Sequence, residues 1–325
     1  MLLRIADLTK VYRRGVRAND GVSLSVGEGQ VFGLLGHNGA GKTTLVSQVV
    51  GLLRPTSGRI EIDGRDAVAD PGFARRACSI QPQAQVPIGG VTPRQAIGLI
   101  GGLRGGKSAE VRKRAARFAD ALDIGDWLDV DGERLSAGVK RLTSFCMAAV
   151  VPGRVVILDE PTNDVDPVRR RLLWAQVRAV ADEGSAVLLV THNVLEAERA
   201  VDRLAILDHG RVIAEGTPSE LKAGIEDDLR LELVLEPGAD IGEAPPFVRR
   251  TVTAGSRVVA SIAPNDAGAA VGWAGWLRLG GRIEEFGLVP ATLEDAYVDL
   301  VDRADSLRDV NGSHSTKERI DVNAA

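Results

Sequence analysis

The sequence has little cysteine: Cys78 and Cys146 are the only two in 325 residues. Two thiols cannot build a disulfide framework, and their apolar neighbours suit reduced side chains in a core, so a reducing, cytosolic compartment is expected. Long hydrophobic runs are also missing. The most apolar long window, Leu142 to Leu158, is broken by Pro152-Gly153-Arg154, whereas a spanning helix needs about 20 nearly uncharged residues. No segment is therefore expected to cross a membrane. The opening Met1-Leu2-Leu3-Arg4-Ile5-Ala6-Asp7 meets charge too early for a secretory signal. Charge of one sign is not in excess either. Forty Lys and Arg stand against forty-four Asp and Glu, a net charge of −4, so no global positive field draws the chain onto nucleic acid or anionic lipid. No nucleic-acid partner is expected, and no internal repeat is present. What the chain does have is apolar content: 44% hydrophobic residues supply a large core and about two domains. That excludes a disordered or fibrous chain.

Three short apolar runs organise the rest: Val31 to Leu35, Val155 to Leu158 and Val187 to Val190. Each is too short for a helix and shows no polar alternation, the pattern of strands buried on both faces in a parallel sheet. Each also ends in polar residues: Gly36-His37-Asn38, Asp159-Glu160 and Thr191-His192. Ligands of open α/β sheets sit at the carboxyl ends of strands, so these three ends are expected to converge on one site. Leu2 to Leu8, Val22 to Val26 and Arg59 to Asp63 alternate, which predicts an antiparallel layer. Residues 84–150 read as a helical insert, with Ala109 to Leu122 its clearest helix. Ala205 to Leu207 and Val212 to Ala214 read as a closing hairpin. The first domain is placed over residues 1–222. A small α+β domain is expected over 223–303, with strands at Leu229 to Leu235, Val258 to Ile262 and Ile283 to Leu288 and helices at Asp266 to Leu279 and Thr292 to Arg303. The polar, aromatic-free stretch 304–325 is expected to be disordered.

Gly36-His37-Asn38-Gly39-Ala40-Gly41-Lys42-Thr43 matches the P-loop pattern, between a buried strand and a helical stretch that opens with Thr44. Glycines let successive N–H groups curl around phosphate oxygens, and the following helix adds its positive end. Lys42 can reach the β and γ phosphates of a nucleotide, and the Thr43 hydroxyl can ligate Mg²⁺. After the second buried run, Asp159 can hold the metal through water and Glu160 can polarise an attacking water. Adjacent carboxylates at a strand end can equally be a helix N-cap. His192, at the end of the third run, can equally be a satisfied core histidine.

Further segments follow in a fixed order: Gln83 in Ile80-Gln81-Pro82-Gln83, then Leu135-Ser136-Ala137-Gly138-Val139 with Lys140-Arg141, then Glu160-Pro161-Thr162-Asn163-Asp164-Val165-Asp166-Pro167, then Thr191-His192. As a set they resemble the Q-loop, signature, Walker B with D-loop, and H-loop of the ATP-binding cassette family, over residues 2 to 222. The resemblance implies an α/β P-loop fold with a parallel core sheet, an antiparallel layer and a helical subdomain. It implies ATP and Mg²⁺ as ligands, with Thr43, Gln83 and Asp159 at the metal and Tyr12 stacked on adenine, a residue that could equally be an ordinary edge-strand tyrosine. By the same resemblance two cassettes, most simply two copies of this chain, pair head to tail. Ser136 and the Gly138 backbone then reach the γ-phosphate held by the partner's P-loop. Glu160 acts as general base, His192 contacts the γ-phosphate, Asp166 couples the two sites, and Gln83 links the nucleotide to a groove for a membrane permease at the cytoplasmic face of the cell membrane.

One departure bears on activity. The family's signature is usually Leu-Ser-Gly-Gly followed by Gln, Met or Glu, but here Ala137 replaces the first glycine and Val139 the last residue. An added methyl and a stiff apolar side chain are expected to weaken closure or turnover. The favoured expectation is an active ATPase subunit of an exporter; the alternative is a hydrolysis-impaired regulatory subunit. Val289-Pro290-Ala291-Thr292-Leu293-Glu294-Asp295-Ala296-Tyr297 looks like the closing segment of drug-resistance-type exporter ATPases, although Leu293, Ala296, Tyr297 and Leu300 also mark an amphipathic helix face. Trp273 and Trp276 read as a packing stripe, and Arg169-Arg170-Arg171 as a solvated helix face. The additional domain is assigned a dimer-stabilising or regulatory role. No Asn/Thr-Lys-x-Asp segment follows the P-loop, which disfavours a GTPase, and neither a long coiled coil nor a second cassette is present, which disfavours the mechanical ATPases of DNA repair and translation.

Overall fold

The computed structural model describes residues 1–13, 15–222 and 229–317. They belong to two compact units, Met1–Thr217 and Pro218–Ala325. The first begins with β1 (Leu3–Val11) and β2 (Arg17–Val26), then β3 (Val31–Leu35), α1 (Lys42–Val49), β4 (Ser57–Ile62), β5 (Arg65–Asp66), α2 (Pro71–Ala77) and β6 (Cys78–Gln81). Three helices follow: α3 (Pro93–Leu103), α4 (Ser108–Ala121) and α5 (Ala137–Ala149). The unit closes through β7 (Val155–Asp159), α6 (Pro167–Asp182), β8 (Ala186–Thr191), α7 (Val194–Ala200), β9 (Arg203–Asp208) and β10 (Arg211–Gly216).

The central sheet has the order β10-β9-β3-β8-β7-β6. β9, β3, β8, β7 and β6 run parallel, and β10 returns antiparallel against β9. The three apolar runs are neighbours in its middle, β3-β8-β7, and every residue of those three strands is buried. Their lack of alternation has a direct cause in packing. Val156 and Leu158 of β7 face the core shared with α3 to α6, whereas Val155 and Ile157 face the core shared with α1 and the antiparallel layer. That layer has the order β2-β1-β4-β5.

Local signals set the helix ends. Thr92 caps α3 in a reciprocal capping box with Gln95 and is followed by Pro93, and Asp70 caps α2 ahead of Pro71. Phe118 of α4 meets Phe145 of α5 edge-on at 5.8 Å, which joins two helices of the insert to each other. Cys78 and Cys146 are buried free thiols whose pKa burial pushes up to about 12, which leaves them protonated and inert.

The second unit contains α8 (Pro218–Lys222), β11 (Leu229–Leu235), β12 (Val248–Ala254), β13 (Arg257–Ile262), α9 (Ala267–Leu279), β14 (Ile283–Pro290) and α10 (Leu293–Lys317). Its antiparallel sheet has the order β12-β13-β11-β14, and Ala270, Ala274 and Leu277 of α9 share a core with Leu231, Leu233, Val258 and Ala260. Two expectations change here. Trp273 packs against this core, but Trp276 is 61% exposed with Arg282 over its ring, so the two tryptophans do not form one stripe. A disordered tail from Ala304 is also not what the structure has over 304–317. There α10 continues, because a helix anchored by buried Leu293 and Ala296 propagates at one hydrogen bond per residue and meets no proline. Residues 318–325 of that expected tail lie outside the described residues. Among the described residues, no helix is long and apolar enough to cross a membrane.

Candidate nucleotide site

β3 ends at Leu35, and the chain turns through Gly36 to Gly41 into α1, whose first residue is Lys42. Gly41 adopts φ 106°, and a Cβ there would stand 2.1 Å from the Ala18 carbonyl oxygen. Only glycine fits, and the fold uses that space to curl the loop into an open cradle of backbone groups. The Lys42 ammonium spans the cradle, donating to the Gly36 carbonyl at 2.6 Å and the His37 carbonyl at 3.1 Å. Burial lowers its pKa, and Glu160 and Asp159 act in the opposite direction, so the cation is held close to two carboxylates. Buried Asn19 steadies the loop by donating to the Gly41 carbonyl at 3.2 Å, and Gln48 of α1 donates to Asn19 Oδ1 at 2.7 Å.

Asp159 closes β7, and Glu160 follows in a left-handed conformation, φ 50°. That turn aims the Glu160 carboxylate back at the end of β8. Its oxygens accept from the Thr191 hydroxyl at 3.0 Å and the His192 N–H at 2.9 Å, and His192 Nδ1 lies 2.6 Å away. Glu160 is 3% exposed, while 55% of the His192 side chain is open to solvent, so His192 is not a core histidine. The N-cap explanation for the Asp159-Glu160 pair also fails, because Asp166 caps α6 by accepting from the Val168 and Arg169 N–H groups.

A cavity of about 360 Å³ joins the loop to the end of β7, and His192 reaches it through Glu160 without lining it. Asn38, Gly39, Gly41, Lys42, Thr43 and Thr44 line one side, and Gln83, Asp159 and Glu160 the other. The Thr43 hydroxyl, Gln83 amide and Asp159 carboxylate form an all-oxygen donor set of the kind a hard ion such as Mg²⁺ requires. Tyr12 is 42% exposed, with its hydroxyl 3.4 Å from Thr44 Oγ1. Ser136 and Gly138 are not brought to this cavity. With Asp164 to Asp166 they line a separate hollow. Ser136 caps α5 by accepting from the Val139 N–H at 3.3 Å, which leaves its own hydroxyl hydrogen to donate elsewhere.

The altered signature has a packing explanation. Val139 is 3% exposed and belongs to the core between α5 and the sheet, so its side chain serves that core. Ala137 is exposed in the first turn of α5, whereas Gly138 is the constrained position: a Cβ there would stand 2.6 Å from the Asp164 carbonyl oxygen. The reading of Arg169-Arg170-Arg171 is also corrected. Arg169 pairs with Asp123 and Asp166 and stacks on Trp127, and Arg170 pairs with Glu196 at 2.7 Å, so two of the three fasten α6 to its neighbours.

Asn19, Gln48 and Arg141 also shape the site, although no motif in the sequence assigns them a role there. Arg141 is 4% exposed; its guanidinium donates to the Pro82 carbonyl at 3.0 Å, and its own carbonyl accepts from Gln81 Nε2 at 3.2 Å. It thereby joins α5 to the residue before Gln83. Its signal in the sequence was position alone, as the second of the two basic residues that follow the signature.

Asp159 carries an electrostatic cost. Burial, and then the Glu160 charge, raise its pKa to about 6 despite Lys42 and Arg141. A raised carboxyl pKa means the folded state binds the extra proton. The stability tied to Asp159 is therefore present below the ordinary carboxylate range and lost as pH rises through about 6. Asp159→Asn, which mimics the protonated form, is expected to stabilise the chain by about 2 kcal/mol at pH 8, with the gain shrinking towards pH 4. Thermal unfolding midpoints across that range check this; a gain independent of pH would contradict it.

The chain is similar to known proteins. A family model described as ABC transporter matches residues 19–163. The daunorubicin/doxorubicin resistance ATP-binding protein of Streptomyces peucetius is 40% identical over 232 residues, 71% of this chain and 70% of that protein. A daunorubicin resistance ATP-binding protein of Streptomyces coeruleorubidus is 34% identical over 288 residues, 87% of this chain and 91% of its own. A solved ATP-binding subunit of an ABC transporter superposes with a TM-score of 0.65 at 28% identity, covering 69% of this chain and 93% of that one. The chain belongs to the ABC transporter family, as an ATP-binding subunit homologous to drug-resistance exporter ATPases. Nothing in the structure or in these relatives favours the hydrolysis-impaired regulatory reading.

Proposed function

We propose that this chain is the ATP-hydrolysing subunit of a drug-resistance-type exporter, energising a separate membrane permease from the cytoplasmic face of the membrane. The observation that carries the hydrolytic part is the placement of Glu160. It is a buried carboxylate fixed by Thr191 and His192 on the wall of the cavity that holds Lys42. In this reading the triphosphate lies along the cradle from Gly36 to Thr44, and Lys42 exchanges its bonds to Gly36 and His37 for phosphate oxygens. Thr43, Gln83 and Asp159 would hold Mg²⁺, which when bound supplies charge neutralisation on the phosphates. Glu160 orients and deprotonates the attacking water, with His192 steadying its carboxylate and standing next to the γ-phosphate. Tyr12, beside Thr44, receives the adenine face.

Ser136 and Gly138 sit apart from Lys42 within one chain, which supports a head-to-tail pair of copies in which each signature completes the other's site. The bond from Arg141 to Pro82 gives the signature helix a rigid link to Gln83, and through it to the permease groove. The test is turnover of MgATP by the full chain, alone and with its permease. Turnover lost in Glu160→Gln supports the proposal. Turnover no higher than in that variant, with ATP still bound, would overturn it.

A further inference from the structure

We propose that His37, Asp208 and His209 form a second metal site, for a transition-metal dication of the Zn²⁺ class, that fastens the phosphate-binding loop to the β9–β10 turn. His37 lies in the loop; Asp208 ends β9, and His209 follows it in a left-handed conformation, φ 44°. One ligand atom from each residue lies within 4.8 Å of the others. Ligands around a tetrahedral Zn²⁺ stand about 3.3 Å apart when the bonds are about 2.0–2.1 Å; His37 Nε2 and Asp208 Oδ1 already stand 3.0 Å apart, so the exposed His209 ring is the member that moves inward on binding.

The surroundings of the His37 ring point to a cation. Nδ1 faces the Asn38 carbonyl oxygen at 2.7 Å, and Nε2 faces Asp208 Oδ1 at 3.0 Å. Both nitrogens thus meet acceptors, and a ring satisfies two acceptors only with two protons, or with one proton and a cation. A proton on Nδ1 given to a backbone carbonyl, with Nε2 left to ligate, is the usual arrangement of a metal-bound histidine. Asp208 is 1% exposed, so its oxygen is held in place for that role. The His209 ring lies 5.4 Å from that of His37, centroid to centroid, and supplies the third donor.

Imidazole donors select Zn²⁺-class ions, whereas Mg²⁺ prefers oxygen, so this site and the oxygen set at Thr43 and Asp159 do not compete for one ion. The turn already touches the loop: the Gly210 N–H donates to the Ala40 carbonyl at 2.9 Å. A metal here would hold the residue whose carbonyl receives Lys42.

Titration of the metal-free full chain with Co²⁺, read by its visible absorption, tests this. The expected result is one saturable equivalent with a tetrahedral spectrum, displaced by Zn²⁺ and indifferent to millimolar Mg²⁺. His209→Asn keeps a side chain that tolerates a left-handed backbone and should bind Co²⁺ at least about tenfold more weakly. Retained binding of a fluorescent ATP analogue shows that this variant is folded. A titration without a one-equivalent step, or undiminished Co²⁺ affinity in folded His209→Asn, would overturn the proposal. If His209→Asn fails to fold, His37→Asn takes its place with the same Co²⁺ readout: weakened binding supports the site, and undiminished binding overturns it.

Discussion

Glu160→Gln should lower ATP turnover by about 10²–10⁴-fold, the range that general-base catalysis supplies, while leaving nucleotide affinity close to that of the unsubstituted chain. The substitution keeps the shape of the side chain and an oxygen that can accept from Thr191 or the His192 N–H, so the ends of β7 and β8 stay joined. What it removes is the negative charge that receives a proton. The effect should therefore fall on kcat rather than on KM. Steady-state kinetics with an independent binding measurement separate the two. An equal loss of binding would show that Glu160 holds the cavity together instead of acting on water.

Lys42→Ala should do the reverse. The ammonium is 8% exposed and its two partners within the loop are carbonyls, so it is ready to be exchanged onto phosphate. A charge-assisted hydrogen bond of this kind contributes about 2–3 kcal/mol, so ATP should bind roughly a hundredfold more weakly and turnover should vanish at ordinary concentrations. The variant also removes the Lys42 charge that opposes the raised pKa of Asp159. Equilibrium binding of a non-hydrolysable ATP analogue is the direct check. Unchanged affinity would remove Lys42 from the phosphate site.

The two variants divide the cavity along a line that was partly visible in the sequence. β3, β7 and β8 were legible because strands covered on both faces lose their alternation, and the P-loop was legible because phosphate cradles need glycine where Gly39 and Gly41 take positive φ. β12 escaped notice because its residues after Val248 are all exposed, so burial never imposed a period on Val248–Ala254. The left-handed turn at Glu160 was hidden for a different reason. It depends on the tertiary bonds to Val190, Thr191 and His192 some 30 residues away, not on a local preference of glutamate. Arg141 was hidden because a buried arginine is intelligible only once the Pro82 carbonyl and Asp159 are known to lie beside it. Val139 was legible as a departure from a pattern, but its meaning was not: the fold gives the side chain to the core.

A crystal structure of the Glu160→Gln chain with MgATP tests the central claim most directly. The account predicts nucleotide density along Gly39 to Thr44, the γ-phosphate against Lys42 Nζ, the metal between Thr43 and Asp159, and Ser136 of a second copy closing over the same phosphate. Nucleotide bound anywhere else on the chain, with that cavity filled only by solvent, would contradict it.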